Sequence, residues 1–337
     1  MKKSVVLALS GGIDSALAAI LLKNKGFEVI GLTLKLYNEN ELETAEYIAK
    51  KLNIKWILLD VKKDFNKKII DYFFESYIKG KTPNPCVVCN RQVKFHYLFE
   101  IMKEIDAEFI ATGHYATTGY IDNTKLIAAS DTQKDQSYFL SFLTKEQIEP
   151  LIFPLAQIKS KKETENIIKE YGITIPQKES FEVCFIKTDY RDALKKRYPQ
   201  QKNGYFILNG KKMGKHSGIF NYTVGQRRGI KIPFTEALYV KKINPESGDI
   251  ILTTKDGIRK RFVEATIENM PLRLPKIFKA HAKLRSKMSL SACNVKINKH
   301  SFVLEFETPQ FAPTPGQVAT VYLNNCIVLS GFIKEGF

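Results

Sequence analysis

Two groups of residues in this 337-residue chain have types and spacing suited to chemistry. The first is the run Ser10-Gly11-Gly12-Ile13-Asp14-Ser15, which lies between an apolar strand-like segment and a helix-like segment. Glycines in such a run let the backbone turn tightly and point N–H groups at a phosphate, and the helix N-terminus adds its dipole. The run lacks the Gly-Lys-Ser/Thr of a Walker loop and the spacing of a dinucleotide fingerprint, so it predicts a phosphate loop of another kind.

The second group consists of cysteines. Cys86-Val87-Val88-Cys89 follows the turn-rich loop Lys79–Pro85, and Cys184 lies in a short apolar run. Five cysteines in a chain of this length are not a disulfide scaffold, and clustered cysteines favour metal binding or redox chemistry. Cys293 and Cys326 lie in strand-like runs and are predicted to be core residues.

The elements that must position these residues alternate between strand and helix over the first 130 residues. Apolar runs predict strands at Ser4–Leu9, Val29–Leu34, Trp56–Val61 and Phe109–Thr112. Helical periodicity predicts helices at Ile13–Leu22, Glu41–Leu52, Phe65–Ile78 and Val93–Ile105, with residues 79–92 breaking the pattern. This alternation indicates an α/β fold with a parallel sheet covered on both faces by helices. Ligands of such sheets bind beyond the strand carboxyl ends, here at Ser10–Ser15 and Thr112–Tyr115.

From Gly204 onward the sequence pattern changes to short runs of strand-forming residues. Turn signals such as Asn209-Gly210 separate these runs. Such spacing predicts small β-rich domains, the last of them a β-barrel. The predicted domains are 1–198, 199–270 and 271–337.

Charge is concentrated in the second part of the chain. The formal net charge is +17, and residues 201–337 carry 22 Lys and Arg against 9 Asp and Glu. This imbalance indicates a polyanion-binding partner for the β-rich part. No apolar run approaches the roughly 20 residues of a membrane-spanning helix, so no membrane partner is expected. The apolar start resembles a signal peptide but has no small-residue cleavage site, which predicts a cytoplasmic protein.

The run Ser10–Ser15 resembles the PP-loop of the N-type ATP pyrophosphatases, which holds pyrophosphate while an acceptor oxygen is adenylated. Further motifs occur in order along the chain: Thr82–Asn90, Ala111–Tyr115, Asp131–Phe139, Val183–Ile186, Thr223–Gly229 and Thr314–Gln317. Together they resemble the MnmA (TrmU) family of tRNA-specific 2-thiouridylases over the whole length from the PP-loop to the last strand.

This resemblance implies that residues 1–198 form a PP-loop catalytic domain similar to the adenine nucleotide alpha hydrolases, with tRNA bound by the C-terminal barrel. The implied reaction is ATP-dependent 2-thiolation of the wobble uridine of tRNA. The uracil C2 oxygen is adenylated with release of pyrophosphate, and sulfur comes from a persulfide on Cys184 with Cys89 as partner nucleophile. The implied cofactors are ATP and Mg²⁺. The implied partners are tRNAs for Lys, Glu and Gln and a sulfur donor, such as a cysteine desulfurase or a persulfide relay protein.

The resemblance also assigns binding residues by position. For ATP they are Ala8, Leu9, Ser10, Gly11, Gly12, Ile13, Asp14, Ser15, Leu34 and Gly113. For the target base they are Asn84, Pro85 and Cys86. For other parts of tRNA they are His114, Lys134, Asp135, Gln136, Arg285, Ser286 and Gln317.

The chain departs from the family pattern at Cys86, where the family often has an acidic residue. Three cysteines, Cys86, Cys89 and Cys184, match a [4Fe–4S] cluster whose fourth iron site is open. A persulfide relay between Cys184 and Cys89 and a local Cys86–Cys89 redox pair are the other interpretations. Structural zinc fits less well because it prefers four protein ligands. The region Leu34–Leu42 is also shorter than is usual in the family.

Two functions of other classes compete with tRNA thiolation. A PP-loop synthetase acting on a small metabolite would share Ser10–Ser15, but it has no use for Cys89 and Cys184 and leaves the basic β-rich part unexplained. A non-catalytic RNA-binding protein would have no reason to keep both hydroxyls and both glycines of the loop. A pyrophosphate-release assay distinguishes these classes by the acceptor that stimulates it.

Overall fold

The computed structural model describes residues 2–37, 40–132, 134–158, 160–176, 183–186, 189–200 and 202–337. The short region Leu34–Leu42 and the motif Asp131–Phe139 therefore lie partly outside the described residues, at 38–39 and 133.

Within these residues the chain forms seventeen strands: β1 (Ser4–Ala8), β2 (Glu28–Lys35), β3 (Lys55–Asp60), β4 (Phe109–Ala111), β5 (Thr117–Ile121), β6 (Thr124–Ala128), β7 (Leu151–Ile152), β8 (Gly204–Leu208), β9 (Lys211–His216), β10 (Tyr239–Ile243), β11 (Ile250–Thr253), β12 (Arg259–Thr266), β13 (Ile277–Lys283), β14 (Ser291–Ile297), β15 (Ser301–Phe311), β16 (Val318–Leu323) and β17 (Cys326–Gly336). The same residues form ten α-helices: α1 (Ile13–Asn24), α2 (Asn40–Leu52), α3 (Lys62–Phe65), α4 (Asp71–Ile78), α5 (Pro85–Cys89), α6 (Phe95–Glu104), α7 (Lys145–Ile148), α8 (Lys161–Glu170), α9 (Tyr190–Arg197) and α10 (Lys255–Ile258).

The chain packs as two compact units, each built from separate segments. The first comprises Met1–Ile69, Cys86–Ser180 and Asn324–Val328. The second comprises Ile70–Pro85, Phe181–Leu323 and Leu329–Phe337. The three consecutive domains inferred from the sequence stay a prediction.

A five-stranded parallel sheet in the order β3-β2-β1-β4-β7 is the centre of the first unit. Val5 and Leu7 of β1 pack in a core cluster with residues of α1, α2 and α8. Val6, which points to the opposite face of the sheet, is also fully buried. Burial on both faces explains why β1 is apolar throughout, and it confirms the predicted parallel sheet with helical cover.

Two of the predicted helices have a different form in the structure. The segment predicted as one helix at Phe65–Ile78 is divided by a π-helical turn at Asn66–Ile70. The predicted break at 79–92 is wrong from residue 85, because α5 and a π-helical turn at Asn90–Lys94 lead directly into α6. Proline is well tolerated at the first helical position, so Pro85 begins this helix rather than ending a loop.

The second unit contains β-rich structure of the predicted kind. One four-stranded sheet has the order β10-β11-β8-β9. Another sheet runs β12-β15-β14-β13-β16-β17, and β17 pairs with β12, which closes it into a six-stranded barrel. Alternate barrel residues such as Val295, Phe302 and Val321 have no exposed surface. This closure confirms the expected terminal β-barrel.

The hairpin of β5 and β6 in the first unit is completed by residues from the end of the chain. Cys326 pairs with Ala128, and the Ala129 amide donates to the Asn325 carbonyl oxygen at 2.9 Å. Gly119 lies so close to Cys326 that a Cβ atom on it would be 2.6 Å from the Cys326 Sγ atom. A side chain at residue 119 is therefore excluded by the sulfur atom.

Gly119→Ala is expected to lower the free energy of unfolding by about 1–3 kcal/mol, because it overpacks this contact. Cys326→Ala in the same background is expected to restore part of that loss, because it removes the opposing sulfur. Urea denaturation of the wild type, both single variants and the double variant measures the coupling. Additive effects of the two substitutions would contradict the close contact.

Candidate active site

The two loops that the sequence predicts at one sheet edge do meet there. Strand β1 pairs with β2 on one side and with β4 on the other, so the winding of the sheet reverses between β1 and β4. Ligands of open parallel sheets bind at such a reversal, beyond the strand carboxyl ends. Residues Ala8–Ser15 end β1 and begin α1, Thr112–Tyr115 follow β4, and Leu34 lies near the end of β2.

The phosphate loop Ser10–Ser15 is shaped by hydrogen bonds between its own residues. The Ser15 hydroxyl donates to the Gly12 carbonyl oxygen at 2.8 Å and lies 3.3 Å from the Ser10 hydroxyl. Gly11 has a φ of 75°, which favours glycine. Within the described residues no side chain caps α1 at Gly12. The first N–H groups of α1 are therefore available to an anion such as a phosphate.

A chain of hydrogen bonds fixes the end of β1, from which this loop begins. The indole Nε1–H of Trp56 donates to the Thr33 hydroxyl at 2.8 Å. That hydroxyl donates to the Leu9 carbonyl oxygen at 2.7 Å. Thr33 and Trp56 are supports of the loop that carry no motif. The available signals were a threonine within the apolar run Val29–Leu34 and the only tryptophan of the chain.

Gly113 approaches the phosphate loop more closely than any side chain would allow. A Cβ atom on Gly113 would lie 2.8 Å from the Asp14 carbonyl carbon and 2.9 Å from the Ser15 nitrogen. Both neighbours are backbone atoms of α1, so neither can rotate away. The glycine is therefore required by the contact between the loops after β1 and β4.

Tyr115 connects the same two loops through its side chain. Its hydroxyl donates to Asp14 Oδ1 at 2.7 Å. Burial raises the pKa of Tyr115 to about 12, and the Asp14 carboxylate adds to this rise, so the phenol keeps the proton that it donates. Asp14 Oδ2 makes no hydrogen bond within the described residues. Tyr115, which lies in the predicted ligand loop Thr112–Tyr115 without an assigned role, thus orients the only acidic side chain of the phosphate loop.

Residues 134–136, which are predicted to contact tRNA, are held to Tyr115 by hydrogen bonds. The Gln136 side-chain oxygen accepts the Tyr115 amide hydrogen at 3.0 Å, and the Gln136 amide donates to the Tyr115 carbonyl oxygen at 2.7 Å. Lys134 is exposed, and its Nζ atom lies 4.7 Å from the centre of the Tyr115 ring. Asp135 accepts the amide hydrogens of Ser130 and Ser137. The structure therefore brings Lys134 close to the phosphate loop.

His114 is a hydrogen-bonding group rather than a proton shuttle. Burial, with a smaller contribution from the Lys94 charge, lowers the pKa of His114 to about 3. Its Nδ1 atom lies 2.9 Å from the Thr112 hydroxyl oxygen. The imidazole is therefore neutral at physiological pH and is a poor general base.

Cys86 and Cys89 both lie on α5, three residues apart, so they project from the same side of the helix. Cys86 is half-buried, whereas Cys89 is buried, with 5% of its surface exposed. The next residue, Asn90, donates from Nδ2 to the Phe139 carbonyl oxygen at 2.9 Å. This bond ties the cysteine helix to the segment that follows Gln136.

Cys184 belongs to the second unit and is exposed. Its neighbours Val183 and Phe185 pack against the core of that unit, and the Phe185 ring lies 5.3 Å from the Phe73 ring, edge to face. The flanking residues therefore hold the backbone while the Cys184 thiol remains accessible. Cys293 and Cys326 are buried, as predicted, and burial raises the pKa of Cys293 to about 12.

Three family models cover almost the whole chain. They are a tRNA methyl transferase HUP domain at residues 3–188, a tRNA methyl transferase PRC-barrel domain at 191–254 and an aminomethyltransferase beta-barrel domain at 261–333. The tRNA-specific 2-thiouridylase MnmA 1 of Aliarcobacter butzleri is 37% identical over 99% of each chain. The MnmA proteins of Clostridioides difficile and Campylobacter jejuni are 34% and 36% identical over at least 98% of each chain.

The chain belongs to the MnmA family of tRNA-specific 2-thiouridylases. Full-length coverage by relatives above 30% identity confirms the resemblance drawn from the PP-loop and the ordered motifs.

The residues assigned to the target base lie in the second unit, apart from Cys86, and their loop is held by Gln317. The Gln317 Nε2 atom donates to the carbonyl oxygens of Thr82 and Pro83, each at 3.1 Å. The Thr82 amide in turn donates to the Pro315 carbonyl oxygen at 2.9 Å. Asn84 is buried, with 8% of its surface exposed. The Gln317 amide group is therefore already engaged in supporting the approach to Asn84-Pro85.

Arg285, which follows β13 of the barrel, is likewise engaged with protein atoms. One terminal nitrogen, Nη2, donates to the Ala312 carbonyl oxygen at 2.7 Å and to the Thr314 hydroxyl at 2.6 Å. Ser286 is half-buried. Arg285 thus fixes the turn at 314–317 that carries Gln317. Its assigned contact with tRNA stays a prediction.

The iron–sulfur cluster that Cys86 brought into consideration stays a prediction. Across the described part of the chain, no group of three or more His, Cys, Asp or Glu side chains is placed to hold a metal ion.

None of the described helices has the length and apolar character needed to cross a membrane.

Gly113→Ala is expected to weaken ATP binding at least about 10-fold, because a methyl group would displace the backbone of Asp14 and Ser15 by several tenths of an ångström. Isothermal titration of the variant with ATP measures the effect. Gly12→Ala is the matched control, because its Cβ atom would meet only the Ser10 hydroxyl oxygen, at 3.5 Å. Equal losses of affinity in the two variants would contradict the role of the Gly113 approach.

Proposed function

We propose that this chain catalyses the ATP-dependent 2-thiolation of the wobble uridine of tRNA. The proposal rests on one observation: Tyr115 contacts both the phosphate loop and the Lys134–Gln136 run. Its hydroxyl donates to Asp14, its amide donates to Gln136, and its ring lies beside the Lys134 ammonium. A turn suited to ATP phosphates thereby lies beside an exposed cation suited to RNA phosphates. The relatives of this chain are named tRNA-specific 2-thiouridylases, which supports the proposal.

In the first step, the C2 oxygen of uracil attacks the α-phosphorus of ATP. The bond to pyrophosphate breaks and an adenylated uridine forms. The N-terminus of α1, in the loop that the Ser10 and Ser15 hydroxyls shape, stabilises the charge of the departing pyrophosphate. A Mg²⁺ ion fits here, because one carboxylate beside substrate phosphates is its usual protein site, and Asp14 Oδ2 would hold it and help to neutralise the phosphates.

In the second step, the terminal sulfur of a Cys184 persulfide attacks C2, and AMP leaves. The Cys89 thiolate then attacks the Cys184 sulfur, and the electron pair of the broken S–S bond passes to the sulfur on C2. The products are 2-thiouridine and a Cys89–Cys184 disulfide, which a dithiol reductant must reduce before the next turnover. The exposure of Cys184 supports its role as carrier, because a donor protein must reach it.

The proposed partners follow from this chemistry. The substrates are tRNAs for Lys, Glu and Gln, as expected from the family. The persulfide comes from a cysteine desulfurase or a relay protein. The excess of Lys and Arg in residues 201–337 supports a polyanionic partner. The cytoplasm, where these partners are found together, stays the predicted location.

Release of pyrophosphate tests the reaction class directly. Pyrophosphate is expected to form from ATP only when unmodified tRNA is present, because adenylation needs the uracil oxygen as acceptor. A coupled pyrophosphate assay with tRNA, with fully thiolated tRNA and with a panel of small amino and carboxylate acceptors gives the comparison. Stimulation by a small molecule and not by tRNA would identify a metabolite synthetase and overturn the proposal.

Cys184→Ser is expected to abolish 2-thiouridine formation and to leave tRNA-dependent pyrophosphate release within about 3-fold of the wild type, because the adenylation step does not use the thiol. Mass spectrometry of digested tRNA measures the thiolated product.

Cys86→Ser is the matched variant that tests the alternative mechanism, a [4Fe–4S] cluster held by Cys86, Cys89 and Cys184. The persulfide relay needs only Cys89 and Cys184, so Cys86→Ser is expected to keep thiolation within about 10-fold. Loss of thiolation in Cys86→Ser, together with iron and acid-labile sulfide in the anaerobically purified wild type, would favour a cluster and contradict the relay.

A further inference from the structure

The second unit contains a cavity that the proposed chemistry does not use. Its volume is about 710 Å³, within the range of ligand-binding pockets. Three tyrosines (Tyr77, Tyr190 and Tyr222) and two arginines (Arg191 and Arg228) are among the described residues that line it, and none of those described residues is acidic. Aromatic rings combined with cations indicate a ligand that is both planar and negatively charged.

The aromatic wall is rigid. The rings of Tyr77 and Tyr190 are stacked, with their centres 5.0 Å apart. Tyr77 and Tyr222 are almost fully buried in the core of this unit, whereas Tyr190 is half-buried. Tyr190 is therefore the ring most accessible from the cavity, and its partner Tyr77 prevents it from turning away.

The cation Arg191 has unused hydrogen-bonding capacity at this wall. Its guanidinium carbon lies 5.4 Å from the centre of the Tyr190 ring, and Nη1 donates to the Asp189 carboxylate at 3.3 Å. Its Nε atom is buried and has no hydrogen-bond partner within the described residues. An unpaired buried donor costs free energy unless a ligand accepts from it. An anionic group in the cavity would do so.

The second cation, Arg228, is exposed on a loop whose backbone is fixed by Gln226. The Gln226 Nε2 atom donates to the Arg228 carbonyl oxygen at 2.8 Å, and the side-chain oxygen accepts the Thr223 amide hydrogen at 3.1 Å. The neighbouring Arg227 is also exposed but does not line the cavity. The loop therefore presents one of two adjacent arginines to the ligand.

We propose that this cavity binds an unpaired nucleotide of RNA, with its base on Tyr190 and its phosphate at Arg191 and Arg228. Unpaired bases are recognised by stacking on aromatic side chains, and phosphates by arginine. An apolar metabolite would leave the buried Arg191 Nε donor without a partner, and a small inorganic anion would make no use of the rings. Thr82, which is near the target-base residue Asn84, also lines the cavity. If the proposed function holds, the bound nucleotide is therefore a neighbour of the target uridine.

Binding of an anticodon stem-loop RNA to the full-length protein tests the proposal. Arg228→Ala is expected to weaken binding about 10-fold, whereas Arg227→Ala, with the same loss of charge, changes it less than about 2-fold. Tyr190→Leu is expected to weaken binding about 10-fold, and Tyr190→Phe, which keeps the ring, stays within about 2-fold. Fluorescence anisotropy at fixed salt measures all four variants.

A second measurement locates the contact. RNA carrying 5-iodouridine beside the wobble position is expected to crosslink, on irradiation, to the peptide that contains Tyr190, as identified by mass spectrometry. Equal effects of Arg227→Ala and Arg228→Ala, or crosslinks confined to other peptides, would overturn the proposal.

Uridine monophosphate distinguishes RNA from a free nucleotide as the source of the ligand. Tight binding of the mononucleotide that is lost in Arg228→Ala, with no effect of that substitution on RNA binding, would assign the cavity to a free nucleotide and contradict the proposal. Failure of the proposed function is separate, because it appears as absent tRNA-dependent pyrophosphate release. If the protein thiolates tRNA but Arg228→Ala does not weaken RNA binding, only the proposed role of the cavity is refuted.

Discussion

The organisation of the first unit depends on the contact between the backbone of Gly113 and the first turn of α1. The parallel pairing of β1 and β4 brings the two following loops together, but only a residue without a side chain lets them touch. Once they touch, Tyr115 reaches Asp14, and the segment containing Gln136 is fixed to Tyr115 by two hydrogen bonds. A movement of the segment that contains Gln136 would therefore be transmitted through Tyr115 to the carboxylate of the phosphate loop.

The phosphate loop could be predicted from the sequence because its chemistry is local. Ser10, Gly11, Gly12 and Ser15 are adjacent, and a strand before them and a helix after them are sufficient to place them. The groups that support the loop could not be predicted in this way. Tyr115 and Asp14 are 101 residues apart, and Trp56 acts through Thr33 on another strand. Such pairs are set by strand order and register, which no single segment encodes.

The residues assigned to tRNA by resemblance illustrate a different limit. Their types suit nucleic-acid contacts, and family motifs mark their positions, but side-chain hydrogen bonds depend on what lies nearby. Gln317 donates hydrogen bonds to the carbonyl oxygens of Thr82 and Pro83, and Arg285 donates to that of Ala312. A sequence pattern identifies such residues as important without revealing whether they touch the substrate or shape the loop that does. The helix at Pro85–Cys89 was missed because proline was interpreted as a breaker rather than a start.

The shared strand β17 has a consequence for the order in which the protein is made. Residues Asn324–Val328 belong to the first unit, where Cys326 and Asn325 complete the β5–β6 hairpin. During synthesis these residues leave the ribosome about 200 residues after the hairpin that they cover, at a rate of roughly 5–20 residues per second. One sheet edge of the first unit therefore stays uncovered for a time of order ten seconds. Nascent chains of this protein are in that interval exposed to pairing with other strands, and chaperones that bind unpaired edges are suited to protect them.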